Sequence, residues 1–283
     1  MDEEIVERGE LFKSIGEVAA VAVVYSALGL SLGVMKASPP TALRLAAVLL
    51  VNLVVVAAAS WYVTHTIGNK WVAAFGAASV MTATQLLLPR LELALEARSG
   101  LRGMALLAVL GGITALVAAC GLVLAFGPPD VFQGPEPAVW LPLHPLEYLW
   151  RLPVLVAGYA ALHVVAIEAA RAMGPAGRAD TDLGDLVVAR LVAGAVWVGA
   201  IAVCTLSLEG RLGAVVRALA AMVVIGGLAG RLMLYLRASI DIWFPRTLFP
   251  SVADLVAVLA ACLLLLPPAM PVLEEEEPVE ELT

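Results

Sequence analysis

The residues that could do chemistry are concentrated in one stretch, from Ser60 to Trp71, which reads SWYVTHTIGNKW. It carries His65, Lys70 and three aromatic side chains, two of them Trp61 and Trp71, between two long apolar runs. An imidazole can donate, accept or take up a proton near neutral pH, and a lysine ammonium donates hydrogen bonds. This stretch is therefore the candidate site for hydrogen bonding and proton transfer.

The composition places the stretch in a membrane protein. Of the 283 residues, 61% are hydrophobic and 14% are charged, and the mean hydropathy is +0.95. A soluble domain of this size does not need so large an apolar fraction for its core. No polar stretch is long enough to fold independently, so we expect a single all-α, polytopic membrane domain without strands.

Eight apolar runs come close to the length of about 20 residues that a membrane-spanning helix requires. They cover residues 15–35, 42–64, 71–89, 103–126, 151–173, 184–207, 212–236 and 251–270. The sequence thus predicts one bundle of about eight transmembrane helices over 15–270, with a long loop at 127–150. An acidic segment (1–14) precedes the bundle and an acidic tail (271–283) follows it.

The distribution of Lys and Arg predicts the orientation, because cytoplasmic loops are enriched in both. Four alternate loops and their flanks hold most of them, so both termini and the 127–150 loop should be external. The residues are Lys36, Arg44, Arg90, Arg98, Arg102, Arg171, Arg178, Arg190, Arg231, Arg237 and Arg246.

Arg outnumbers Lys and amides are scarce, which is typical of a heat-adapted or high-GC prokaryote. We expect a multi-pass protein in the plasma membrane of a prokaryote.

Several classes of function are disfavoured by the residues that are present. The net charge of −7 comes largely from the two tails, which argues against nucleic acid as a partner. Three His residues cannot fill the four positions of a di-haem cytochrome, and neither HExxH nor a Cys/His cluster is present. The segment Asp182–Asp185 has only a weak likeness to membrane aspartyl peptidases. We expect this chain to bind no haem or metal.

The orientation brings Glu17 near the external level of Trp61, His65, Lys70 and Trp71. Tryptophans at this level are typical of an interfacial aromatic belt, and a lysine can extend to the headgroups, so both simple alternatives stay open. His65 is not explained by either of them.

Deeper polar residues have two interpretations. Asn52 and Gln85 can join helices by hydrogen bonds or can form part of a site. His163 is a functional candidate because ionisable groups at membrane depth are costly. Glu168 lies one turn before Arg171 and could simply pair with it.

Other charged side chains are expected to lie near helix ends. Arg190, Arg217 and Arg231 are close enough to predicted helix ends to extend to the interface, and Asp254 could cap the last helix.

The features of the first 170 residues resemble a known family. A His at the end of helix two, followed by Gly68, Lys70 and Trp71, is similar to the NrfD/polysulfide reductase and dimethyl sulfoxide reductase type of membrane anchor subunit. The stretch Thr82–Gln85 is similar to that family's Ser/Thr-rich stretch on helix three, with an amide in place of its acidic residue. The external segment from Pro135 to Pro145, which contains Trp140, is also similar.

The resemblance implies a respiratory electron-transport subunit that binds and oxidises a quinol, such as menaquinol, at the outer membrane face. Electrons would pass to an iron–sulfur subunit and then to a molybdopterin catalytic subunit, both docked outside. His65 would accept the quinol proton, Lys70 would stabilise the oxyanion and Gln85 would position the head group. Glu17 would relay the proton, and Trp61 and Trp71 would pack against the ring.

Two other functions are compatible with the sequence. The first is a small-solute or ion transporter that uses deep groups such as Asn52, Gln85, His163 and Glu168. The second is a non-catalytic scaffold subunit of a membrane complex.

Overall fold

The computed structural model describes residues 2–35, 41–68, 70–91, 103–126, 139–140, 143–173, 183–205, 208–238 and 244–266. Within these ranges, side chains are described for 14–35, 41–64, 71–91, 103–126, 143–173, 183–205, 212–233 and 247–266. The prediction of an all-α polytopic bundle is confirmed, since eight helices are long and apolar enough to cross a membrane.

The helices occupy almost all of the described chain. They are α1 (Asp2–Ser31), α2 (Ala42–His65), α3 (Lys70–Met81), α4 (Met104–Phe126), α5 (Pro145–Ala172), α6 (Leu183–Thr205), α7 (Leu212–Ala238) and α8 (Phe244–Leu265). The helix that begins as α3 continues as a π-helix over Thr82–Leu87, and residues 88–91 are again α-helical.

Three predicted helix starts differ from the structure, and three short strands are present where none was expected. Helix α1 begins at Asp2, so the acidic segment 1–14 is largely part of the first helix. Helix α5 begins at Pro145, where proline is favourable in the first turn, and this shortens the predicted loop 127–150. Helix α8 begins at Phe244, seven residues before the predicted start at 251, and contains Pro250. The third span includes a π-helix rather than regular α-helix throughout.

Three short strands form an antiparallel sheet at one end of the bundle. They are β1 (Thr66–Gly68), β2 (Val139–Trp140) and β3 (Leu208–Arg211), with β3 in the middle. Residue Ile67 pairs with Glu209, and Trp140 pairs with Gly210. The backbone hydrogen bonds therefore join three connections, those between α2 and α3, α4 and α5, and α6 and α7. We call this end the sheet end.

The opposite end carries most of the loop lysines and arginines, and we call it the basic end. Two arginine side chains form hydrogen bonds between helix termini, one at each end of the bundle. Arg90 donates a hydrogen bond to the carbonyl of Val34, which joins the ends of α3 and α1 at the basic end. Arg151 donates to the carbonyl of Leu264, which joins the start of α5 to the end of α8 at the sheet end. Successive helices thus alternate in direction.

The bundle core is continuous and rich in small side chains. Helix α5 packs against α6 and α8, α7 against α2 and α8, α3 against α4 and α6, and α1 against α2 and α4. Alanines and a few large buried residues, among them Trp197, Tyr25, Tyr62 and Tyr159, fill the interior. Small residues allow close helix approach, which is how helices associate in a bilayer.

The π-helix has a local cause and a specific partner. Pro89 has no N–H and its ring conflicts with the carbonyl four residues earlier, that of Gln85, so the regular α-helical pattern is interrupted there. The N–H of Leu88 donates to the carbonyl of Ala83, five residues earlier. The widened turn packs on α7 at Gly226 and Gly230, which together with Gly227 form what we call the glycine patch. A Cβ placed on Gly230 would lie 2.7 Å from the carbonyl oxygen of Gln85 and 2.6 Å from Cγ of Pro89.

We expect Gly230→Ala to lower the free energy of unfolding by about 1–3 kcal/mol, because the added methyl group forces the backbone of two helices apart. Gly199→Ala is the control, since a Cβ on Gly199 meets nothing within 4 Å. That change should be neutral or stabilising by up to about 1 kcal/mol through helix propensity. Chemical unfolding of the full chain in detergent measures both. Equal effects of the two substitutions would contradict the close contact.

Candidate functional site

The predicted site residues at the sheet end are only partly described. The side chains of His65 and Lys70 lie outside the described side chains, although both residues are helical. Trp61 and Trp71 are 39% and 48% exposed, on the last turns of α2 and the first turn of α3. Glu17 is half-buried on α1. The roles assigned to these residues stay predictions.

Gln85 does not lie at the level of the other predicted site residues. It is fourteen residues after Trp71 along the same helix, which corresponds to about 20 Å along the axis. Its side chain is buried, accepts a hydrogen bond from the Tyr25 hydroxyl at 2.6 Å and donates to Asn52 Oδ1 at 2.7 Å. Gln85 and Trp71 therefore cannot contact one small head group together, which separates Gln85 from the predicted site at the sheet end.

Tyr25, Ser26, Asn52 and Gln85 form what we call the amide network. The Asn52 amide nitrogen donates to Ser26 Oγ at 2.8 Å, and the Ser26 hydroxyl donates to the carbonyl of Ala22. The network joins α1, α2 and the π-helix through side chains that are all buried. Buried amides that bond one another in this way hold helices together. The interpretation of Asn52 and Gln85 as interhelical hydrogen-bonding residues is confirmed.

A second polar group, the charged cluster, consists of His163, Arg231 and Asp254. The carboxylate of Asp254 lies between the other two: Arg231 Nη1 donates to Oδ2 at 2.7 Å, and His163 Nε2 lies 3.1 Å from Oδ1. The three side chains come from α5, α7 and α8 and are between 0% and 6% exposed. Arg231 Nη1 also lies 3.2 Å from the Ser251 hydroxyl.

The charged cluster lies in the half of the bundle nearer the basic end. At about 1.5 Å per residue, Asp254 is about 15 Å from the start of α8, and Arg231 is about 10 Å from the end of α7. His163 is about 13 Å from the end of α5. The cluster is thus enclosed by the membrane-spanning segments rather than at a headgroup level.

Close packing fixes the Arg231–Asp254 pair. Gly227 lies one turn before Arg231 on α7, and a Cβ there would be 2.7 Å from Asp254 Oδ2 and 3.3 Å from Arg231 Nη1. The glycine patch therefore serves two contacts: Gly227 accommodates the ion pair, and Gly230 accommodates the π-helix. Helix α7 therefore contacts both Asp254 and the backbone of the π-helix.

An aromatic stack adjoins the charged cluster. The ring of Tyr159 stacks on His163 with centroids 4.1 Å apart, and Trp197 of α6 tilts against Tyr159 at 5.0 Å. Within the described part of the chain, His163 Nδ1, Trp197 Nε1 and Thr247 Oγ1 are buried without a hydrogen-bond partner. Unpartnered polar atoms are rare in folded proteins, so these three atoms mark the surroundings of the cluster as unusual.

Two sequence-based interpretations are wrong here. Arg231 does not extend to the interface, and Asp254 is not a helix cap. Arg231 lies seven residues before the end of α7 and binds Asp254, and Asp254 lies ten residues after the start of α8, which begins before the predicted residue 251. The signal that could have found the site is Phe244-Pro245, a proline suited to the first turn, which moves Asp254 to the tenth residue after the helix start.

Two further predictions concern charged residues outside the charged cluster. Glu168 is exposed and pairs with Arg171 at 2.7 Å, as expected. Arg190 of α6 is 2% exposed, so its predicted extension to the interface is wrong.

The described residues contain no group of three or more His, Cys, Asp or Glu side chains that could hold a metal ion. The charged cluster instead offers a carboxylate, a guanidinium and an imidazole, which can bind and release a proton or bind a charged solute. Comparisons with protein-family models, with curated proteins and with solved structures find no match to this chain.

Proposed function

We propose that this chain is a membrane transporter of a small solute or ion, and that the charged cluster is its binding and coupling site. The observation that carries the proposal is the meeting of His163, Arg231 and Asp254, from three helices, in the buried interior of the bundle. Charged side chains at membrane depth commonly belong to substrate pathways, ion pathways or proton relays.

A role in stability alone accounts poorly for such a cluster. Removing charged groups from water costs several kcal/mol per ion, and a buried ion pair can often be replaced by apolar residues without loss of stability. Helices in this bundle are already joined by the amide network and by close packing at glycine. The charged cluster is therefore better explained by a function that requires charge inside the membrane.

A buried polar stripe leads from the basic end to the charged cluster. Thr247, Ser251 and Asp254 follow one another at spacings of four and three residues on α8, so they share one helix face. All three are buried, and the Ser251 hydroxyl donates to the carbonyl of Thr247. This stripe of hydroxyls supplies hydrogen-bonding groups along α8 from the basic end to Asp254.

Irregular helices accompany the cluster, as is common around transport sites. Pro153 lies inside α5, Pro250 lies inside α8, and the π-helix follows α3. Such interruptions are where helices kink. Because the Asp254 carboxylate is bound from α5 and from α7, a movement of either helix relative to α8 would change its partners.

The test is flux through liposomes that contain the full chain. Gradients of protons, sodium, potassium and chloride, together with a panel of small charged solutes, should reveal at least one flux above that of protein-free liposomes. Asp254→Asn should reduce this flux at least about tenfold, which corresponds to an increase of about 1.4 kcal/mol in the activation free energy of transport. The substitution removes the charge that both Arg231 and His163 contact.

Glu168→Gln is the matched control, because it removes an exposed carboxylate that is paired on the same helix as His163. It should retain the flux. The proposal fails if no solute or ion in the panel moves faster than in protein-free liposomes, or if Asp254→Asn transports at the rate of the unmodified chain.

A second candidate function is the quinol-oxidising anchor subunit, and the sheet favours it. The strand that directly follows His65 pairs with β3, which pairs in turn with the strand that contains Trp140. The backbone of the His65 turn and part of the long loop are thus held at one end of the bundle. This supports a quinol site formed at the outer face by the His65 turn and the long loop. His65 would be the proton acceptor, and Gln85 would not contact the quinol head group.

For this candidate, membranes that contain the chain and its associated subunits should oxidise a menaquinol analogue, and the chain should co-purify with an iron–sulfur subunit. His65→Ala should lower the oxidation rate at least about a hundredfold, the lower range for loss of a general base. His144→Ala serves as the control, since His144 is an exposed helix cap at the start of α5. An unchanged rate in His65→Ala would exclude the assignment.

A further inference from the structure

We infer that the charged cluster takes up a proton and a small monovalent anion together, with the proton on His163. This inference rests on the proposed transport function and specifies its substrate class. With a neutral imidazole, the guanidinium of Arg231 and the carboxylate of Asp254 balance each other. The cluster is then electrically neutral, which is the favourable state for buried ionisable groups.

The contacts of His163 determine where the proton binds. A carboxylate can only accept a hydrogen bond, so the ring nitrogen that faces Asp254, Nε2, carries the hydrogen. In a neutral ring, Nδ1 then has a lone pair and no hydrogen. Nδ1 is buried and has no hydrogen-bond partner in the described part of the chain. It is therefore the atom that can take up a proton, after which it becomes a hydrogen-bond donor.

Charge balance then requires an anion. Protonation of His163 alone leaves the cluster with one excess positive charge, and entry of an anion alone leaves one excess negative charge. Both states place an unbalanced charge in a buried site, which is costly. A proton and a monovalent anion together restore neutrality, so each should raise the affinity of the site for the other by the same factor.

Buried donors are available for the anion beside His163. The indole of Trp197 can only donate, and its Nε1–H is buried without an acceptor among the described residues. Trp197 packs against Tyr159, whose ring stacks on His163. A small anion that accepts from both Nδ1–H of the protonated His163 and Nε1–H of Trp197 would give each donor an acceptor.

Charged side chains are present on three helices near His163. Asp254 of α8 contacts the imidazole, Arg231 of α7 contacts Asp254, and Arg190 is buried on α6, which packs against α5. On α5 itself, Glu168 is exposed and pairs with Arg171. Among the described side chains in these helices, Asp254 is thus the buried carboxylate that faces the imidazole, and its second oxygen is already bound by Arg231.

Proton uptake on anion binding tests the inference directly. The full chain in lipid nanodiscs, in dilute buffer with a pH-indicator dye, is mixed in turn with the N-methylglucamine salts of chloride, nitrate, formate and acetate. The gluconate salt is the reference because gluconate is too bulky for a site between packed helices. At least one small anion should cause uptake of up to about one proton per chain, as linkage requires.

His163→Gln should abolish this uptake, whereas His144→Asn, which keeps an N-cap residue at an exposed position, should retain it. Trp197→Phe keeps the aromatic ring but removes the donor, so it should weaken anion binding about fivefold, the effect of about one hydrogen bond. This variant tests the site even where His163→Gln does not fold. Melting temperatures of all variants, with and without the anion, show which of them are folded.

The inference is overturned if no small anion causes proton uptake, or if folded His163→Gln takes up protons as the unmodified chain does. Its failure is distinguishable from failure of the transport proposal. Flux that depends on Asp254 without anion-linked proton uptake would leave a transporter with a different substrate. Proton uptake without any flux would leave a site that binds both ions in a protein that does not transport.

Discussion

The structure depends most on one constraint, the need to balance the buried charge of Asp254. Its two carboxylate oxygens face Arg231 on one side and His163 on the other, and neither partner comes from its own helix. In the low-dielectric interior, removal of one partner of a buried carboxylate strongly destabilises the fold. Helices α5, α7 and α8 must therefore keep one relative position while the cluster keeps its charges. A change in protonation or ligand at the cluster would alter the preferred position of these helices.

Close packing carries this constraint to the rest of the bundle. The glycine patch on α7 contacts the ion pair through Gly227 and the π-helix through Gly230. The π-helix in turn holds Gln85, which joins the amide network on α1 and α2. Two polar groups of different chemistry thus lie on the two sides of α7. The amide network can hold its helices without charge, whereas the charged cluster places ionisable groups inside the membrane, where such groups commonly serve a function.

The eight helices were predictable because a lipid bilayer demands long apolar segments, and the pairing of Glu168 with Arg171 followed from spacing on one helix. Other features depend on contacts between distant segments. Arg231 and Asp254 are 23 residues apart, and their contact requires the rotation of two helices. The π-helix follows from Pro89, yet its partner Gly230 lies far along the chain. The sheet joins residues near 67, 140 and 210, whose short runs carry no strand pattern of their own.

The central claim, that Arg231 and Asp254 are buried charge partners, is tested most directly by a double-mutant cycle. The free energy of unfolding is measured for Arg231→Met, Asp254→Leu and the double variant, with the exposed pair Arg171 and Glu168 replaced in the same way as a reference. Each single replacement should cost about 3–5 kcal/mol, and the double variant should recover most of that loss. The exposed pair should couple by less than about 1 kcal/mol. Additive effects of the two buried replacements would contradict the claim.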